Sequence, residues 1–263
     1  MLKRIFQLFK IARNLSTSGA VTTINEAYTL PLPINLFFNV LSIGSATNPL
    51  DNQKKPGEKL CGALQGMGTT FIKLGQFLAT RPDIIGEEMA KNLEKLQDKV
   101  PAFDIYEAKK IIRKEIGDDQ FKNILEISEP IAAASIAQVH IAKIKNENKN
   151  KEVAIKILRP DIEKLFNEEL DALMLFAYII ENTFSKAKRL KLVEVVYLLR
   201  EITNIEMDLR FEAAAANELY ENTRNDAGFN VPKIYWNYTT KKVLTLDKVD
   251  GISIREKDKL KGF

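Results

Sequence analysis

Two short runs, residues 136–144 and 152–158, constrain this chain's fold more than any other feature. Each is rich in Ile and Val, and a polar stretch, residues 145–151, joins them. That pattern predicts a β-hairpin. The flanking sequence reads as helix. One helix is predicted over residues 58–80 and is stopped by Arg81-Pro82-Asp83, because proline cannot continue a helix. A second covers residues 86–97. Asp104 is a good N-cap for a third, which ends near Gly117. Beyond the hairpin, helices are predicted over 161–184 and 192–220. Residues 233–238 and 242–249 then read as a second pair of strands with a Thr-Thr-Lys turn. The order is helices, hairpin, two helices, hairpin, which is an α+β arrangement and not a βαβ repeat.

The 263 residues suffice for one large domain or two small ones, and the 45% apolar content excludes wholesale disorder. One cysteine, Cys61, excludes a disulfide framework and a multi-cysteine metal site, and one histidine, His140, excludes a histidine cluster. Basic residues exceed acidic ones by 39 − 35 = 4. The excess sits in Lys3, Arg4, Lys10 and Arg13, ahead of the first acid, Glu26. The balanced remainder excludes a protein-wide nucleic-acid surface, and no nucleic-acid partner is expected.

Residues 2–15 place Leu2, Ile5, Phe6, Phe9 and Ala12 on one helical face, with the basic residues mostly away from it. This pattern suits a surface helix packed on its own domain, a helix lying on anionic lipid, or a cleaved targeting peptide. No transmembrane helix is expected. The apolar stretch 30–44 is interrupted by Pro31, Pro33, Asn35 and Asn39, and it is shorter than the ~20 residues a span needs. The apolar run 170–180 reads as a buried core helix, and residues 48–57 as a polar linker.

Val153-Ala154-Ile155-Lys156 ends a strand with a lysine. Alone it describes a solvated side chain. It is also the pattern of the protein-kinase strand whose lysine holds nucleotide phosphates and pairs with a helix glutamate. Such a site needs backbone close to the phosphates, usually supplied by glycines. No Gly-x-Gly-x-x-Gly is present; Ala132-Ala133-Ala134-Ser135 stand in the matching place. Alanine still permits close approach, but its Cβ disfavours positive φ, so a stiffer and differently shaped loop is expected. The plain alternative is a helix-to-strand turn made of small residues.

The stretch from Pro130 through Ile131, Ala132, Ala133, Ala134, Ser135, Ile136, Ala137, Gln138 and Val139 to His140, followed by Lys156, resembles the UbiB family of atypical kinase-like proteins. Lys73-Leu74-Gly75-Gln76, Arg81-Pro82-Asp83, residues 96–100, Glu206-Met207-Asp208, residues 212–217 and residues 243–251 agree with the same family, in order, over about residues 55–255. The resemblance implies a protein-kinase-like N-lobe with an N-terminal helical extension. Its expected divisions are an amphipathic N-terminal region and linker (1–57), a helical extension (58–120) and the small lobe up to its hinge (121–263).

By resemblance, residues Ile131 to Val139 and Lys156 bind nucleotide, and Glu212 pairs with Lys156. Lys73 and Gln76, neighbours on one helix face, would cover the cleft and meet Glu206 and Asp208. This insert would argue against phosphorylating a protein in trans. His140 is read as structural. The family's catalytic aspartate, metal-binding asparagine and second metal-binding aspartate have no match here, and twelve residues follow Gly251. The C-lobe is therefore expected to be absent. No catalytic residue or metal ligand is assigned in this chain, and its status as an enzyme stays open. The expected reading is the nucleotide-binding half of a UbiB-type kinase or ATPase supporting ubiquinone biosynthesis. A non-catalytic membrane-associated scaffold for quinone-pathway enzymes is the alternative. ATP and Mg²⁺ are the implied cofactors of the intact protein, with weak or no metal binding here. Implied partners are nucleotide, an anionic membrane surface, quinone-biosynthesis enzymes and a separately encoded C-terminal half. The implied location is peripheral, on the cytoplasmic face of the bacterial inner membrane, ahead of a mitochondrial one.

Overall fold

The computed structural model describes residues 9, 11–14, 16–17, 39–40, 56–96, 100–146, 149–183, 187–252, 254 and 257–260. Residues 9 and 11–14 of the amphipathic segment are helical; the rest of it, and residues 48–55 of the linker, lie outside the described residues. The chain divides into two compact units. One comprises residues 1–100, 134–136 and 161–204, the other residues 101–133, 137–160 and 205–263.

In the first unit, α1 (Pro56–Met67), α2 (Thr69–Ala79), α3 (Pro82–Ile85) and α4 (Glu87–Leu93) pack together, and α7 (Ile162–Thr183) packs on α2. Their apolar faces bury Ala63, Leu64, Phe71, Ile72, Ala90 and Leu93. The single helix expected over 58–80 is two helices. The break falls at Gly68, whose φ of 102° lies where side chains other than glycine are strained. The helix expected over 86–97 is shorter, ending at Leu93.

The second unit is built on a four-stranded antiparallel sheet, β1 (Ile124–Ala133), β2 (Ala137–Asn146), β3 (Lys149–Leu158) and β4 (Val243–Asp247), in the order β1-β2-β3-β4. The hairpin expected from the Ile/Val runs is β2–β3. Helix α5 (Ile105–Ile116) starts where the sequence predicts, with the Asp104 carboxylate accepting from Tyr106 N–H at 2.7 Å. A short helix, α6 (Asp118–Phe121), follows it. Alternation along β3 turns Val153, Ile155 and Ile157 to one face. There they form a core with Ala142, Ile144 and Val243 and with Ala108 and Ile112 of α5.

Three expectations of the sequence are corrected here. Strand β1 was not predicted, and its presence makes the alanine segment a strand-to-strand turn, not a helix-to-strand one. Residues 192–220 are two helices, α8 (Leu192–Glu206) and α9 (Leu209–Thr223). Asp208 divides them because its short side chain bonds the nearby Arg210 N–H at 3.1 Å and caps α9 in place of continuing α8. Residues 233–238 do not form a strand. Only Ile234 bridges to Leu246, and Trp236–Tyr238 is a single 3₁₀ turn. A last short helix, α10, spans Lys257–Leu260.

Candidate functional site

Strand pairing sets the register of the site. Ala132 of β1 stands opposite Val139 of β2, and Val139 opposite Lys156 of β3. Directly opposed residues in an antiparallel pair share a face. Lys156 therefore lies on the face away from the Val153, Ile155 and Ile157 core. Ala132, at the end of β1, and Lys156 thus occupy one cross-strand row.

Helix α9 supplies the acid. Leu209 and Ala213 bury its inner stripe, and Leu209 N–H bonds to Lys241 O at 2.9 Å beside β4. Glu212, three residues after Leu209, is carried at the edge of that stripe. Its two oxygens lie 2.8 and 2.6 Å from Lys156 Nζ. The lysine side chain is 27% exposed and the glutamate 49%. The structure thus brings together the two residues that the sequence paired across more than fifty positions.

The turn between β1 and β2 needs no glycine. No residue from Ile131 to Ala137 has positive φ, so alanine Cβ atoms meet no conformational penalty there. Ile131 and Ala132 are exposed, whereas Ser135, Ile136 and Ala137 are buried. Gln138 sits one residue from Val139, and its side chain takes the opposite face. Its Oε1 accepts from Phe103 N–H at 2.9 Å and its Nε2 donates to Phe103 O at 3.1 Å.

The expected residues do not all fall in one unit: Ala134, Ser135 and Ile136 belong to the first, and the remaining ones divide between the two. Lys73 and Gln76 are half-buried on α2 in the first unit. Between them Gly75 is buried, because a Cβ there would overlap Leu96 Cδ1 and come within 2.8 Å of Leu64 Cδ1. Glu206 and Asp208 belong to the second unit. Besides capping α9, the Asp208 carboxylate receives Arg210 Nε at 2.9 Å and its terminal nitrogen at 2.6 Å. These bonds hold it below the usual carboxylate range. Sequence reasoning missed this capping role, although an aspartate directly ahead of a helical run signals it. Among the described residues, no three of His, Cys, Asp and Glu cluster as a metal site would require. No helix among them is long and apolar enough to cross a membrane.

Residues 95–262 match the family described as the ABC1 atypical kinase-like domain. A probable protein kinase UbiB from Marinobacter nauticus is 36% identical over 256 residues, covering 97% of this chain and 46% of that protein. A probable protein kinase UbiB from Azotobacter vinelandii is 38% identical over 197 residues, covering 74% of this chain and 36% of that protein. The chain thus spans less than half the length of these curated relatives.

Proposed function

The chain belongs to the ABC1 atypical kinase-like family, and on that premise we propose that its second unit is a nucleotide-binding half-site. Lys156 is the phosphate-binding cation, oriented by Glu212, and Ala132 and Ala133 at the end of β1 supply backbone beside it. The observation that carries this reading is the Lys156–Glu212 pair, standing in the same strand row as Ala132. An ammonium group 27% exposed keeps an open side for an anion, and the negative-φ alanine backbone can approach a phosphate without a bulky side chain intervening.

These residues fit a triphosphate. A divalent ion is different: the described residues offer no three-ligand cluster for one, and no step here runs through a metal held by them. Phosphoryl transfer or ATP hydrolysis would belong to the whole protein, with its catalytic groups supplied from outside these residues. The biosynthetic role we propose is support of ubiquinone formation, with a C-terminal half and quinone-pathway enzymes as partners. Its proposed setting is the cytoplasmic face of the bacterial inner membrane, which the basic residues Lys3, Arg4, Lys10 and Arg13 would contact through anionic lipid.

Thermal melting tests the nucleotide reading. A ligand that binds only the folded state raises the midpoint by mass action. ATP at about a hundred times its dissociation constant should raise it by several degrees for the wild-type chain. An unchanged midpoint at millimolar nucleotide would remove the reading. Flotation with anionic vesicles tests the membrane setting, which fails if deleting residues 1–25 leaves binding unaltered.

A further inference from the structure

Behind the Lys156 face, four residues, Phe103, Gln138, His140 and Ser128, form a continuous hydrogen-bond chain. Phe103 precedes α5, and its backbone N–H and C=O both engage the Gln138 amide. Backbone groups are unambiguous donors and acceptors, so they fix the amide: Oε1 faces the N–H, and NH₂ faces the carbonyl. The second NH₂ hydrogen points to His140 Nε2, 2.9 Å away. That ring nitrogen must accept. The proton therefore sits on Nδ1, which donates to Ser128 O at 2.8 Å. Gln138 and His140 are 1% and 0% exposed, so water does not compete for these bonds.

Ser128 marks an irregular stretch of β1. From Ile127 to Ala132, β1 advances five residues while β2 advances three, from Ala142 to Val139. Bulges of this kind re-aim the strand that carries them. Pro130 lies inside the stretch and lacks an N–H, which an edge strand tolerates. The Ser128 hydroxyl accepts from Ile141 N–H at 3.0 Å and donates to Glu129 O at 2.6 Å. The bulged segment is thus held at Ser128 and runs directly into Ile131, Ala132 and Ala133.

We propose that Gln138 and His140 are positioning residues of the alanine stretch: a neutral His140 ties the bulged part of β1, through Gln138, to Phe103 at the head of α5, and so holds Ile131–Ala133 in register with Lys156. This rests on the nucleotide-binding reading for its purpose, but not for its geometry. The Phe103 end is itself anchored. Arg159 lies over its ring at 5.9 Å and donates to Pro101 O at 2.9 Å. Burial pushes the His140 imidazole below its ordinary value; the Ser128 carbonyl and Glu129 oppose this, and Lys109 on α5 adds to it. A second proton would set an N–H against the Gln138 NH₂. Turning the amide would then set its NH₂ against Phe103 N–H. Either way a buried donor loses its acceptor, which disfavours the charged ring.

The chain has one histidine, so its imidazole nitrogen signals are unambiguous in NMR spectra of the full 263-residue protein. The wild type should show the Nδ1–H tautomer and stay neutral at a pH where an exposed imidazole is already charged. Gln138→Glu replaces the donor with an acceptor, and His140 should then be charged at neutral pH. In Gln138→Leu, amide exchange at Phe103, Ile131, Ala132 and Ala133 should accelerate at least about tenfold while Ile155 and Ile157 stay protected, and ATP affinity should fall about tenfold. An Nε2–H tautomer, a neutral ring in Gln138→Glu, or exchange unchanged at Ile131–Ala133 would each overturn the proposal. Should Gln138→Leu fail to fold, the tautomer and the Gln138→Glu ring decide it. A wild type that binds no ATP would end the nucleotide reading, while the imidazole and exchange results would still decide the positioning role.

Discussion

Lys156 Nζ lies 2.6 and 2.8 Å from the two carboxylate oxygens of Glu212, joining the third strand of the sheet to the helix that follows Asp208. With both side chains partly exposed, such a pair contributes about 1 kcal/mol or less to stability. On the proposed reading, the pair serves to orient the ammonium for a phosphate and adds little to folding. Glu212→Gln should therefore lower the free energy of unfolding by no more than about 1 kcal/mol while weakening ATP binding severalfold. Urea melts and titrations on the same samples check this. A large loss of stability with unchanged binding would make the pair structural.

Gly75 should resist even alanine. Its missing Cβ leaves room for Leu96 and Leu64, and overfilling a packed core costs about 1–3 kcal/mol. Gly75→Ala should destabilise the first unit by about that much. Leu96→Ala in the same chain should relieve part of the cost, giving a favourable coupling in a double-mutant cycle. Simple additivity would mean that the close approach does not exist.

Asp208→Ala should cost about 1 kcal/mol, through loss of the cap on α9. Arg210 holds the Asp208 carboxyl below its usual range. A depressed carboxylate contributes stability that is present in full above the unfolded value of about 3.9 and is lost as pH falls through the folded value. The difference between wild type and Asp208→Ala should therefore be largest near neutral pH and shrink under acid. Melts across that range test it, and a difference that grows on acidification would contradict it.

The β2–β3 hairpin was legible in the sequence because both strands are dense in Ile and Val, and α5 because Asp104 and Gly117 bracket it. The Lys156–Glu212 pair was legible only through a family resemblance, since a strand lysine and a helix glutamate are individually ordinary. Strand β1 escaped because Pro130 and two acids, Glu126 and Glu129, interrupt it. Its bulges then break the alternation that identifies a strand. The break between α8 and α9 escaped because Asp208 lies between two helical patterns that run on in sequence. The first strand of the terminal pair failed the other way: Ile234 and Tyr235 look strand-like, yet only one bridge to β4 forms. The role of Gln138 was hidden because its partners are the backbone groups of Phe103, and sequence does not show backbone partners.

Calorimetric titration of the 263-residue chain with ATP, run beside Lys156→Ala, tests the central claim most directly. Saturable binding by the wild type, weakened more than about tenfold by Lys156→Ala while the thermal midpoint without nucleotide barely moves, is the predicted result. Equal affinity in the two proteins would contradict it, because the ammonium paired with Glu212 would then hold no phosphate.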